Sequence, residues 1–287
     1  MPPAKPRIWP TIVFGAFFVP ITWSVSKLLW SVVRASGLLE EGSAQSKTTR
    51  FVVQGLSFEL ICIAALFYFI RRSREAPGAQ LGLTRSRLSL WLTPVIYFGA
   101  VGGAIVGGLI NLGLIGARSP RVDEVQEQVR LASGGEIWII LLMVAVIAAF
   151  TEELIFRGFI QARLLRRFSP WVAISLSSLF FAITHGDISY AIAVFPLGLW
   201  FGYVAYLSES IWPSTVCHFI HNSFAVLIAL GSSEGQGGEG QGDQAPTFDA
   251  SFLLFGAIAL LFVWWMARIL EKRQRPRVAL TSEHEPG

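Results

Sequence analysis

Residues Ile137 to Ala162 read IWIILLMVAVIAAFTEELIFRGFIQA, and this stretch decides the fold. It is a long apolar run with Glu152 and Glu153 set side by side near its middle. A carboxylate at membrane depth costs roughly 2.5–3.5 kcal/mol on insertion scales, so two adjacent ones imply partners or a task. Arg157 follows Glu153 by four residues and shares its helical face, which allows an ion pair. Glu152 points about 100° away around the helix and faces a different neighbour. The spacing thus assigns Glu153 to a pair with Arg157 and leaves Glu152 without that cation, available for chemistry.

The rest of the chain supplies a membrane setting. Its 287 residues are 53% hydrophobic and 15% charged, with a mean hydropathy of +0.56. Soluble domains carry about 25% charged residues. Continuous apolar runs, rather than alternating ones, point to helices and not a barrel. The expected fold is an all-α polytopic bundle of about eight transmembrane helices, at residues 8–33, 51–70, 89–117, 137–160, 171–187, 190–207, 211–230 and 250–270. The first is too long for the core of a signal peptide and reads as an uncleaved anchor. Residues 1–136 form the N-terminal helices, 137–230 a chemical core, 231–249 a flexible outer loop, and 250–287 the last helix with a cytoplasmic tail. Cys62 and Cys217 fall inside apolar runs and read as small buried hydrophobes. The net charge of +4 reflects the loops, and no nucleic-acid function follows from it.

Lys and Arg favour alternate connections, which orients the bundle. Lys5 and Arg7 precede the first span; Arg71, Arg72, Arg74, Arg85 and Arg87 follow the second; Arg163, Arg166 and Arg167 follow the fourth; Arg268, Lys272, Arg273, Arg275 and Arg277 close the eighth. Segments 35–50, 118–136 and 231–249 carry little positive excess. Both termini are expected on the cytoplasmic side. Gly99 and Gly103 in the Gly-rich third span have helix-packing spacing, and packing within the chain is favoured over dimerisation. Lys27 is expected to snorkel toward the outer interface. Glu59 has no evident role beyond a partner inside the bundle.

Further polar groups lie in later spans. His185 ends the fifth, four residues after Phe181, and His218 and Asn222 are four apart in the seventh. Spans four, five and seven can therefore enclose one polar cavity. Each piece has a plainer explanation: a structural ion pair for Glu153 and Arg157, a packed imidazole for a lone histidine. His221 either packs or lines the cavity beside His218. The set taken together is harder to dismiss.

Glu152-Glu153-Leu154-Ile155-Phe156-Arg157, Phe181-Ala182-Ile183-Thr184-His185 and His218-Phe219-Ile220-His221-Asn222, each on its own helix, resemble the motifs of the CPBP family. These are the CAAX-type prenyl endopeptidases and the Abi-like bacteriocin-processing and immunity proteins. Phe156-Arg157-Gly158 and Ser210-Ile211-Trp212-Pro213-Ser214 are also similar. The resemblance covers residues 145–230. It implies an intramembrane endopeptidase, a cavity reachable from the membrane and the cytoplasmic side, and a membrane-anchored or prenylated peptide or protein as substrate. A multi-pass position in a bacterial plasma membrane is the expected location.

Peptide hydrolysis needs a base for water, stabilisation of the oxyanion and a proton for the leaving amine. Glu152 is the expected base, with His185 holding or activating the water. His218 and Asn222 are expected to donate to the oxyanion, and Glu153 and Arg157 to fix the helix and tune the field. No cofactor is favoured. The alternative is Zn²⁺ held by Glu152, His185 and His218, although His-Glu-x-x-His is absent. A non-catalytic immunity or scaffold protein binding hydrophobic peptides, and a proton-coupled transporter, are the competing functions; internal repeats of the transporter kind are not evident. One geometric tension stands: His218 lies six residues past Trp212, about 9–10 Å, and His185 fifteen past Pro170, about 22 Å. Equal depth requires a tilted or recessed fifth span, or a projecting fourth.

Cysteine-accessibility labelling checks the orientation. A cysteine placed in 231–247 should react from the outer side and one after Leu270 only from the cytoplasm.

Overall fold

The computed structural model describes residue 13 and residues 19–37, 44–71, 76–116, 119–132, 134–234 and 250–273. Nine helices of more than ten residues lie among them: α1 Val19–Ala35, α2 Ala44–Arg71, α3 Thr93–Ile115, α4 Pro120–Leu131, α5 Gly135–Leu164, α6 Pro170–Ile183, α7 Ile188–Ser208, α8 Trp212–Glu234 and α9 Ala250–Arg273. No strand occurs among the described residues. The all-α bundle is the observed architecture.

The count of eight crossings is not reproduced. Among the described residues, six helices are long and apolar enough to cross a membrane. The fifth expected span is the exception inside the core. α6 has 14 residues, about 21 Å at 1.5 Å per residue, against a hydrocarbon thickness of about 30 Å. It stops because Gly186 takes a left-handed φ of 72°, open to glycine and strained for most other residues. Asp187 then caps α7, its carboxylate accepting from the Tyr190 N–H at 2.6 Å. His185 therefore rides on a turn at the end of a short helix, which relieves the depth tension in the sense of a recessed fifth span. The described part of α1 is 17 residues long. Most of the expected loop 231–249 and the tail from residue 274 lie outside the described residues. Gly231 to Glu234 continue α8.

α4 replaces an expected loop. Pro120 opens it, a position where proline costs nothing because the first N–H groups of a helix have no partner. Val122, Val125 and Val129 form one stripe; Val129 is buried beside Ile140, Val226 and Ala229, with Val125 packed against them. Lys47 and Glu127 pair across to α2 at 3.5 Å. The Arg130 guanidinium beside the Glu127 carboxyl holds it below the usual carboxylate range.

Every residue of α5 from Leu154 to Gln161 is buried, Arg157 and Gln161 included. Large exposed apolar side chains lie on the other helices, among them Leu28, Leu114, Leu254, Leu261, Trp264 and Trp265, and on the first half of α5, Trp138 and Leu142, where lipid would cover them. Cys62 and Cys217 are free and buried. Lys27 is exposed, with its ammonium 5.9 Å from the Trp23 ring centre.

Gly99, Gly103 and Gly107 of α3 serve contact with α7, and Gly102 contact with α9. A Cβ on Gly99 would stand 1.9 Å from the Trp200 indole, and one on Gly107 1.8 Å from the Ala193 carbonyl oxygen. The Trp200 indole N–H donates to the Ile96 carbonyl at 2.8 Å. Gly108, by contrast, has open space around its Cβ position. Gly107→Val should therefore destabilise the purified protein by at least the 1–3 kcal/mol typical of overpacking. Gly108→Ala should be neutral or slightly stabilising, since Ala is favoured over Gly in a helix interior by about 1 kcal/mol. Chemical unfolding in detergent micelles checks both.

Candidate active site

α5 is not a uniform α-helix. Residues Leu142–Ala148 and Leu154–Gln161 are π-helical, flanking the α-helical turn Ala149–Glu153. Such widened turns are often found at functional sites. Here the first one turns the Val144 carbonyl toward α8, where it accepts from the Asn222 side-chain amide at 2.9 Å.

The ion pair expected from the sequence is present. Arg157 Nη1 lies 3.1 Å from Glu153 Oε1, and the two side chains are 1% and 0% exposed. The guanidinium also donates to the Gly198 carbonyl at 3.0 Å. It lies 4.6 Å from the Phe181 ring centre and 5.6 Å from that of Phe201, cation–π contacts in a dry site. One turn on, Gln161 donates to the Gly202 carbonyl at 2.8 Å. α5 is thereby tied to α7 twice.

His218 brings α8 to this pair. Its Nδ1 lies 3.1 Å from Glu153 Oε1, and its Nε2 lies 3.6 Å from Glu152 Oε2. The imidazole stacks on Phe201 with centroids 4.7 Å apart. Glu152 therefore does meet a group that can carry positive charge, a neighbour the helical spacing alone did not identify. Its side chain is 18% exposed, against 0% for Glu153.

His185 enters from the other side. Its Nδ1 is 3.1 Å from the Phe181 carbonyl, so in the neutral ring Nδ1–H donates and Nε2 keeps its lone pair. Phe181 contacts the rings of both His185 and His218, at 5.1 and 6.0 Å. It is the apolar hinge between the two imidazoles and the arginine.

Glu152, His185, His218 and Asn222 all line one cavity of about 430 Å³, with Glu59, His221, Phe181 and Tyr190. Glu153 and Arg157 lie behind the wall. The structure thus gathers the six site residues read from the sequence. His221 is on the lining rather than packed away from it. What sequence reasoning missed is the backbone: the Val144 and Gly198 carbonyls and the π turns, which leave no residue-type signal. Glu59 was visible as a stray charge but not as a cavity residue.

Residues 134–224 match the family model described as "Type II CAAX prenyl endopeptidase Rce1-like". Over that segment the chain is similar to CPBP-type membrane proteases. A Bacillus subtilis (strain 168) protein named "Putative membrane peptidase YdiL" is 25% identical over 92 residues, which are 32% of this chain and 38% of that protein. The match thus spans less than half of the relative. No solved structure matches. The matched segment runs from the start of α5 to just past Asn222 and contains every motif residue named above; α1 to α4, with Glu59 on α2, lie outside it.

Removing one partner of a buried ion pair strands the other charge, at about 3–5 kcal/mol. Arg157→Met should lower stability by that amount, and adding Glu153→Gln should recover part of the loss. A double-mutant cycle on unfolding in detergent checks the coupling.

Proposed function

We propose that the cavity is the active site of an intramembrane endopeptidase in which water attacks the peptide carbonyl directly. The observation that carries the proposal is the convergence of Glu152 on α5, His185 on the turn after α6, and His218 and Asn222 on α8, on one cavity backed by a buried ion pair. The family match supports a membrane-associated peptide or protein as substrate. A membrane-anchored or prenylated, CAAX-type substrate is the finer form of the proposal.

Each residue has a task that its contacts suit. Glu152, the more exposed carboxylate, takes a proton from water. His185 Nε2, left as an acceptor, orients that water. The hydroxide adds to the carbonyl carbon and the oxygen gains negative charge. Asn222 spends one N–H on Val144 and has a second to give the oxyanion. His218 differs from the simple donor expected from the sequence, because Nδ1 is engaged with Glu153. Only a doubly protonated imidazole donates from Nε2, either to Glu152 or to the oxyanion. When the intermediate collapses, the C–N bond breaks and Glu152 returns its proton to the leaving amine.

A metal-independent route is part of the proposal. With both Nδ1 atoms engaged by protein acceptors, each Nε2 is left for the water, an arrangement that equally suits a metal ligand, so chelation distinguishes the two routes. Both termini cytoplasmic remains part of the proposal.

Wild type and Glu152→Gln, reconstituted in liposomes with a farnesylated peptide and followed by mass spectrometry, test the assignment. Glu152→Gln should keep its thermal stability and lose at least 10²–10⁴-fold in turnover, the range of general-base contributions. Near-normal turnover would refute it. Wild type should also keep its activity after exhaustive chelation; activity lost and restored specifically by Zn²⁺ would favour the metalloprotease.

A further inference from the structure

Glu59 lies on α2, outside the residues that match the protease family. It is 6% exposed, yet its side chain lines the cavity. Its Oε2 has no hydrogen-bond partner among the described residues. It faces the Thr151 hydroxyl and the Glu152 carboxyl of α5. A buried polar atom left unpaired costs about 1–3 kcal/mol, more when charged. Such a group persists when something that enters the site satisfies it.

The charges around the cavity indicate what that is. Besides Glu59 and Glu152, the titratable groups on the lining are His185, Tyr190, His218 and His221, with Lys47 and Arg50 on α2 itself; Cys62 neighbours Glu59 on its own helix. Lys47 and Arg50 are 12 and nine residues before Glu59, about 18 and 14 Å along the helix. Lys47 pairs with Glu127, and Arg50 contacts Gln54 at 3.4 Å. Arg157 is held behind the wall by Glu153 and Gly198. Two carboxyl groups thus face the same cavity, while the lysine and arginine on its lining, Lys47 and Arg50, stand about 18 and 14 Å from Glu59 along α2.

We propose that Glu59 is a recognition residue that pairs with a basic side chain of the substrate peptide. The cavity then prefers a lysine or arginine close to the bond that Glu152 attacks. The inference deepens the protease reading and rests on it for the word substrate. Glu59 itself takes no part in the hydrolysis.

The probes are palmitoylated, fluorophore-labelled hexapeptides with lysine moved through each position, against the same peptides with norleucine. Cleavage is followed with wild type, Glu59→Gln and Glu59→Lys. Binding is followed by anisotropy on Glu152→Gln and on Glu152→Gln with Glu59→Gln, in nanodiscs. At one position lysine should improve both kcat/KM and affinity by about tenfold, the range of a charge-assisted hydrogen bond. Glu59→Gln should erase that preference, read as the ratio of kcat/KM and of affinity between lysine and norleucine peptides, and Glu59→Lys should favour glutamate at the same position. Absence of a lysine preference at every position, or one that survives Glu59→Gln, overturns the proposal. A preference seen in binding without any cleavage by wild type would instead refute the protease reading and leave a cation-selective peptide site.

Discussion

The ion pair between Glu153 and Arg157 is the constraint on which the rest of the site depends. Both charges are out of water, so the pair depends on the neighbours that hold it, while Glu153 Oε2 and Arg157 Nε have no hydrogen-bond partner among the described residues. The Gly198 carbonyl and two aromatic faces lie against the guanidinium. His218 takes part of the carboxylate. The pair therefore does not stabilise α5 alone: it sets the distance between α5 and α7 and fixes the ring plane of His218 on α8. One residue before Glu153, Glu152 is presented to the cavity because its neighbour is committed to the wall.

Much of this was legible in the residues. Glu153 and Arg157 at four-residue spacing, and the histidines of the fifth and seventh spans, pointed to a shared cavity before any contact was known. The helices also fell where apolar runs placed them. Hydropathy measures composition and not length after termination, so it overestimated the fifth span. Gly186 and Asp187 end α6 by backbone conformation and capping, in a run that otherwise reads as apolar. Mixed charge likewise concealed α4, whose valines at i, i+3 and i+7 carried the signal.

The features beyond the reach of sequence are those made by the main chain and by distant packing. A π turn has no residue-type signature, yet it delivers the Val144 carbonyl to Asn222. Glu152 and His218 are separated by more than sixty residues, and only the packing of α8 on α5 shows that the imidazole stands between two carboxylates. That contact changes the chemistry assigned to His218 from simple oxyanion donor to a group coupled to both glutamates.

The central claim is that Glu153 orients His218 through Nδ1 and so leaves Nε2 facing Glu152. Magic-angle-spinning NMR of protein labelled with ¹⁵N-histidine in liposomes tests this most directly. The account predicts a strongly deshielded Nδ1–H proton for His218 that moves upfield in Glu153→Gln, where the acceptor loses its charge. A His218 Nδ1 that carries no proton, or a resonance unchanged by that substitution, would contradict it.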